Sequence, residues 1–455
     1  MITAKMEMLR LEQKRQIWND GVGALQWLVF LLANSVTLPI VIGQIYHLPA
    51  NEVIGLMQRT FLVAGAGSFL QGVFGHRLPI PDGPAGTWLG VFAILGAEIA
   101  KQSAGAGGAY STLQTLETGM LAAGIILILF VVTGLTGWMI KLFTPLVTGV
   151  YLLLLGLQLG GVFLQGMLGL SGDAPHLDAV TSIVSFGVFI VILVLSVKGT
   201  GWLKNYAVFI GIVLGCSAYY ALGKSAELSA DAGVGLPALF AWGAPKWDGG
   251  MAISAVIIAF ILMSNTIASI AAMKQVLNER KDGGEAAAQR READRSGVVG
   301  GVVQLLSGAF STVGTVPLSS SVGFVRMTGQ KKMGPYLSAC ILLAGVAFVP
   351  LLIRLLALLP SPVAYASVMA SFVNLVGVGL QSITRNPLDQ RRTSILGITL
   401  LIGSGAMILP ASVFETMPSV FRYVLGNGLI LGTMIAVILE QVWRDRQQAD
   451  EEQGA

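Results

Sequence analysis

The sequence predicts an all-α membrane protein of fourteen transmembrane segments, arranged as two inverted repeats of seven. Three observations predict it. Hydrophobic residues make up 54% of the 455 positions and charged residues 11%, with a mean hydropathy of +0.75, whereas a soluble domain carries about 25% charge. Two stretches at corresponding places in the two halves, residues 78–88 and 311–323, carry Pro, Gly and small polar residues where a spanning helix wants Leu and Ile. The basic residues fall mostly on one side once fourteen spans are threaded from an inside N-terminus.

The composition is justified span by span. Uncharged runs at 118–140, 179–197, 249–273 and 393–414 each reach the roughly 20 residues that one crossing needs. The full set of spans expected, in order, is 22–42, 53–75, 84–99, 118–138, 145–164, 178–197, 205–222, 250–272, 297–313, 320–329, 334–357, 362–382, 393–410 and 421–442. The third and tenth are half-length helices, each preceded by one of the broken stretches. The first twenty residues are polar and charged, so the first span itself, rather than a cleaved leader, is expected to target the chain.

Lys and Arg favour the cytoplasmic side of short loops. With the N-terminus inside, 22 of the 28 fall inside, five outside, and Arg59 within the second span. Both termini are therefore expected in the cytoplasm, in a plasma (inner) membrane. Seven spans per half is an odd number, which forces the second repeat to be inverted. The expected division is a first repeat over 1–222, a linking loop over 223–249, a second repeat over 250–442 and a cytoplasmic tail over 443–455. The charged segment 274–295 reads as a solvated loop.

Irregular backbone survives at membrane depth only where it is buried in protein or lines a cavity. Paired breaks in two halves are the best sequence pointer to a transport site near the midplane. The first break contributes Asp82, Gly83, Ala85 and Gly86. Asp82 is either a site residue or an Asx-type turn before Gly-Pro. His76, Arg77, Glu117, Lys141 and Arg354 sit near span ends, where snorkelling to the interface accounts for them. Glu98 and Arg326, near the ends of the half-helices, read as structural. The second break ends in Ser319, Ser320 and Ser321, whose hydroxyls can cap the helix that follows or leave its N–H groups to a polar ligand. On the eighth span, Asn265 and Ser269 are i and i+4, hence on one face, and the small-polar run around them also suits close helix packing.

Other classes are disfavoured. The three histidines (His47, His76, His176) lack metal-ligand spacing, and there is no phosphate loop, nucleophile elbow or Cys cluster. Cys216 and Cys340 lie in apolar runs and read as buried thiols. No enzyme activity, cofactor, metal or nucleic-acid partner is expected. A net charge of +4 reflects the inside loops.

Several passages resemble the nucleobase–cation symporters of the uracil/xanthine permease, or nucleobase–ascorbate, type. Leu25-Gln26-Trp27 through Val36-Thr37-Leu38-Pro39 resembles that family's opening Gln-His helix. Leu78-Pro79 through Gly83 resembles its third-span strand, and Gly314-Thr315-Val316-Pro317-Leu318-Ser319-Ser320-Ser321-Val322-Gly323 its tenth-span motif. Met327-Thr328-Gly329 and Asp389-Gln390-Arg391-Arg392 continue the likeness, which covers roughly residues 20–443. The resemblance implies a core domain of spans 1–4 and 8–11 and a gate domain of spans 5–7 and 12–14. It implies short antiparallel strands at the two breaks, and substrate between spans 3, 8 and 10.

Three departures stand out. The family's eighth-span Glu and the polar residue after it match Asn265 and Ser269, and its tenth-span Glu or Gln, then Asn, match Ser320 and Ser321. The first-span His matches Trp27. Coupling then rests with Asp82, with a different ion, or is absent. The expected function is a permease for uracil, xanthine or another purine. The alternative is transport of bicarbonate, sulfate or a carboxylate on the same fold. The partners expected are the bilayer and the small-molecule base, with a proton or sodium ion and a second copy of the chain left open.

Overall fold

The computed structural model describes residues 2–101, 106–135, 142, 144–170, 177–223, 235–277, 285–409, 413, 417, 425 and 427–443. The expected tail beyond 443, residues 224–234 of the linking loop, Lys141 and the start of the last span lie outside them.

The first span runs from α1 (Ile2–Ser35) into α2 (Thr37–Ile45). Pro39 has no N–H to give the Ser35 carbonyl, so the ladder is interrupted around Val36. After α3 (Ala50–Val73), strand β1 (Asp82–Pro84) leads into α4 (Gly86–Lys101) and α5 (Ala106–Val132). Next come α6 (Pro145–Met167), α7 (Ala179–Lys198), the short α8 (Trp202–Asn205) and α9 (Ala207–Ala221). The second half opens with α10 (Gly249–Leu277) and α11 (Glu285–Ala309). Strand β2 (Thr315–Pro317) and α12 (Ser320–Thr328) follow, then α13 (Met333–Val346), α14 (Pro350–Ala357), α15 (Ser361–Ile383), α16 (Gln390–Ile408) and α17 (Gly428–Val442).

Local chemistry fixes many of these ends. Thr144 accepts from the Val147 N–H ahead of Pro145, and Asp178, Asp389 and Asn427 accept from the N–H groups of Val180, Arg392 and Ile430 at the starts of α7, α16 and α17. Gly329, at φ 70°, closes α12 in the left-handed conformation that glycine adopts without cost. With nine residues, α12 is only about 14 Å long at 1.5 Å per residue, under half the hydrocarbon thickness.

Three expectations about extent are corrected. Helix α5 starts at Ala106 rather than 118, because Ala, Thr and Leu sustain the helix through a stretch too polar to count as span. Helix α11 starts at Glu285, so part of the charged segment is helical, and Lys274 pairs with Glu292 at 2.5 Å across its two ends. The expected span 334–357 is two helices, α13 and α14, bent by 86°, because Pro350 cannot donate the N–H that would continue the ladder. Among the described residues, seven helices are long and apolar enough to cross a bilayer, eight if the bent pair is one span. Helices α4 and α12, which follow the strands, have 16 and nine residues and are too short to count among them.

The packing pairs elements of the two halves. Helix α3 lies on α13, and α5 lies on α11. At the first crossing a Cβ on Gly65 would stand 2.6 Å from the Ala344 nitrogen and 2.7 Å from the Cys340 carbonyl. At the second, a Cβ on Gly124 would stand 2.6 Å from the Gly301 carbonyl. Only glycine lets these backbones touch. In the same way α1 packs on α13 and α5 on α10, while α7 packs on α9 and α16 on α17. Helices α6 and α15 face each other at Gly149 and Gly379.

Candidate functional site

The site is built around two three-residue strands. β1 and β2 pair antiparallel, with Asp82 opposite Pro317, Gly83 opposite Val316 and Pro84 opposite Thr315. The ladder is extended at both ends, by the Ala85 N–H on the Gly314 carbonyl at 2.9 Å and the Leu318 N–H on the Pro81 carbonyl at 2.8 Å. Side chains alternate across a strand, so Asp82, Pro84, Thr315 and Pro317 share one face, with Gly83 and Val316 on the other.

Neighbouring helices hold each strand. Ser68 of α3 accepts from the Asp82 N–H at 2.9 Å and donates to the Asp82 carbonyl at 3.1 Å. The Tyr336 hydroxyl donates to the Ile80 carbonyl at 2.9 Å. Gln304 of α11 does the matching work on β2: its Nε2 donates to the Thr315 carbonyl while its Oε1 accepts from Trp88 Nε1 at 3.0 Å. A Cβ on Gly314 would stand 2.1 Å from that indole nitrogen, so the approach of Trp88 to β2 requires glycine there.

Helix α10 runs past the second break. Asn265 Nδ2 donates to the Pro317 carbonyl at 3.0 Å, and Ser269 Oγ lies 2.9 Å from Ser319 Oγ. The residue before Asn265, Ser264, sets its Oγ 3.4 Å from Thr148 Oγ1 of α6. Asn265, Ser269 and Ser319 thus come together, with Ser320 exposed beside them. Ser321 is turned inward and donates to the Leu318 carbonyl at 2.7 Å. Of the two readings of these serines, capping does not apply to Ser319: it makes no side-chain bond to the helix start, and its hydroxyl is engaged by Ser269. Gly83, Ala85 and Gly86 contribute backbone. A Cβ on Gly83 would meet the Leu318 side chain at 2.8 Å, and one on Gly86 would meet the ring of Phe372 of α15 at 2.9 Å.

Asp82 is placed differently. It is 2% exposed, makes no Asx turn, and lines a small internal cavity with Thr266, Ser296, Gln304 and Thr315. Its Oδ1 has no hydrogen-bond partner. The snorkelling account of Glu117 and His76 is also corrected, since both are buried. Glu117 Oε1 accepts from Ser311 Oγ, and the Ser311 carbonyl accepts from Arg59 Nε at 3.2 Å. His76 Nδ1 accepts from the Leu78 N–H at 3.1 Å. Arg77 is exposed, as snorkelling expects.

The chain has relatives among known proteins. The family model for xanthine/uracil permeases, described as Permease family, matches residues 21–412. The chain belongs to this permease family. The permease is similar to YwdJ of Bacillus subtilis, which is named as a candidate purine permease, with 31% identity covering 94% of this chain and 97% of that one. It is also similar to the uric acid permease PucK (23%, covering 93% and 95%) and to the xanthine permease of the same organism (24%, covering 92% of each). Among solved structures it resembles the transmembrane domain of a cyanobacterial bicarbonate transporter, BicA, with TM-score 0.58 and 15% identity, covering 93% of this chain and 98% of that one. It also resembles SLC26A9, with TM-score 0.62 and 13% identity, covering 94% and 66%. At such identity these two show the fold alone. The permease is therefore an integral membrane transporter, not an enzyme.

Sequence reasoning missed Ser68, Gln304, Tyr336 and Trp88, which hold the strands, and Phe372, which meets Gly86. A signal existed for Gln304 and Ser68: polar side chains in otherwise apolar helices need partners.

Proposed function

We propose that this permease carries a purine-type nucleobase, such as xanthine or uric acid, across the plasma membrane by alternating access. The base would sit where Asn265, Ser269, Ser319 and Ser320 meet. The observation that carries this is the cross-tie of α10 to the second break through Asn265–Pro317 and Ser269–Ser319. It sets an amide and three hydroxyls at the start of a half-helix, beside exposed Ser320. An Asn amide offers both donors and an acceptor, and each hydroxyl offers both roles. That mixture suits the edge of a heterocycle carrying N–H and C=O groups side by side. The names of the relatives point the same way.

The packing supports a seven-plus-seven inverted repeat. Under that repeat α3 on α13 corresponds to α11 on α5, and α1 on α13 corresponds to α10 on α5. Likewise α7 on α9 corresponds to α16 on α17, and all three pairs of contacts occur. The antiparallel strand pair is what inversion requires at the centre. On this reading α1–α5 and α10–α14 form the core, and α6–α9 with α15–α17 form the gate. Core and gate meet at Gly86–Phe372 and Thr148–Ser264. Both termini would lie in the cytoplasm, by the distribution of Lys and Arg.

The solved neighbours carry anions by name, yet they bear on fold only, and the sequence relatives favour a base. The separating experiment is ligand-induced thermal stabilisation of the purified protein. Xanthine, uric acid and uracil are compared with bicarbonate and sulfate, in the wild type and in Asn265→Ala. Stabilisation by a purine that Asn265→Ala loses supports the reading. Stabilisation by the anions alone refutes it.

A further inference from the structure

The cavity on the Asp82 face of the strand ladder is distinct from the meeting point of Asn265, Ser269 and Ser319. Its polar lining is Asp82, Thr266, Ser296, Gln304 and Thr315; the rest is mainly aliphatic side chains and glycine. It has room for about one water-sized sphere.

The donor and acceptor count there is one-sided. Thr266 spends its hydroxyl proton on the Leu262 carbonyl at 2.8 Å, and Ser296 spends its proton on Gln71 Oε1 at 2.9 Å. Each therefore has only lone pairs left to offer a further partner. Gln304 is committed to the Thr315 carbonyl and the Trp88 indole. Asp82 Oδ1 and Thr315 Oγ1 are buried without hydrogen-bond partners, in residues 2% and 3% exposed. The ladder register puts these two on the same face, because Asp82 pairs with Pro317 and Pro84 with Thr315. No Lys, Arg or His lines the space. An ionised carboxylate left so would cost several kcal/mol, and a water placed there would find acceptors but few donors.

We propose that this cavity is a sodium site, in which Asp82 Oδ1 and the hydroxyl oxygens of Thr266, Ser296 and Thr315 ligate one Na+. All four are hard oxygen donors, the set that alkali and alkaline-earth cations prefer. A single carboxylate balances one monovalent charge, whereas a divalent ion would leave an uncompensated charge in the interior. Thr266 adjoins Asn265 in sequence, and Thr315 lies in the strand whose Pro317 carbonyl Asn265 holds. A bound ion would therefore tie α10, α11, β1 and β2 into one unit directly behind the proposed base site.

The test is equilibrium binding of radiolabelled Na+ to the purified full-length protein, with no base present, so the outcome does not depend on which solute is carried. The wild type binds Na+ saturably, and unlabelled Na+ displaces the label while K+ at equal ionic strength does not. Asp82→Asn keeps the volume and lowers the affinity by roughly tenfold or more. Thr315→Val keeps the shape, removes one oxygen and weakens binding by a smaller factor. No saturable binding up to about 0.15 M Na+, or wild-type affinity in Asp82→Asn, would overturn the site. Stabilisation by lowered pH with no response to Na+ would make Asp82 a proton carrier and likewise overturn it. If Asp82→Asn fails to fold, the wild-type isotherm and Thr315→Val still decide.

Discussion

Ser269 Oγ of α10 and Ser319 Oγ at the head of α12 lie 2.9 Å apart, so a pair of hydroxyls ties α10 to the start of the half-length helix α12. In the family that the sequence resembles, a carboxylate stands near this point. Here Asn265 takes the matching place and bonds the Pro317 carbonyl instead. A neutral amide can present both edges of its hydrogen-bonding capacity to a base, but it cannot exchange a proton near neutral pH. The acidic group of the region is Asp82, on the ladder face that lines the cavity behind.

The Asn265 amide is expected to matter to uptake far more than to folding. Asn265→Ala lowers base uptake by at least about tenfold, equivalent to about 1.4 kcal/mol, with a nearly unchanged melting temperature. Ser320→Ala, at an exposed hydroxyl, lowers it less. Initial uptake rates and thermal melts of the two purified variants check this. Unchanged uptake in both would remove these residues from the site.

The glycine contacts predict a stability pattern. Gly65→Ala puts a methyl group against the backbone of α13, which cannot move aside as a flexible side chain could, and costs about 1–3 kcal/mol. Gly160→Ala, in α6 with nothing within 4 Å of the added carbon, is neutral or gains up to about 1 kcal/mol from helix propensity. Melting temperatures in detergent compare the two directly.

Glu117 is fully buried and accepts from Ser311, a non-glycine residue held at φ 46°. Removing the acceptor leaves the Ser311 hydroxyl proton without an acceptor, while its oxygen keeps the Trp242 N–H at 3.4 Å. Glu117→Ala therefore destabilises by about 1–3 kcal/mol. Glu117→Gln keeps an acceptor and loses less. Equal losses in a thermal melt would show that the charge, rather than the hydrogen bond, is what holds the turn.

Gly86 touches Phe372 across the proposed core–gate boundary, and Phe372 packs edge-on against Phe163 at 4.9 Å. Gly86→Val slows uptake several-fold, and Phe372→Ala in the same chain restores part of it, as coupled neighbours do. Additive losses in the double variant would place the two residues outside a shared moving contact.

Much of the fold was legible in the sequence because lipid imposes strong constraints. Apolar length marks α3, α6, α7, α10 and α15, and the two breaks mark β1 and β2 because Pro79, Pro81, Pro84 and Pro317 cannot continue a helix at membrane depth. Helix ends were less legible. Ala106 and Glu285 begin their helices in stretches whose composition reads as loop, since helix extends beyond the hydrophobic band at no cost in lipid. The bend at Pro350 was hidden inside an apolar run. Spacing put Asn265 and Ser269 on one helix face, whereas the meeting of that face with Ser319 was implied only by the family resemblance. The direction of Asp82 could not, because a strand's faces are assigned only when its register is known, and Asp82↔Pro317 is a pairing between residues 235 positions apart. Ser68 and Gln304 likewise acquire meaning only from the strands they hold.

The most direct test of the central claim is uptake of radiolabelled xanthine and uric acid by proteoliposomes containing the purified permease, with Asn265→Ala in parallel. Saturable uptake of a purine, competed by the unlabelled base and lost in Asn265→Ala, is the expected result. No uptake of any base, with saturable uptake of bicarbonate or sulfate by the same vesicles, would contradict it.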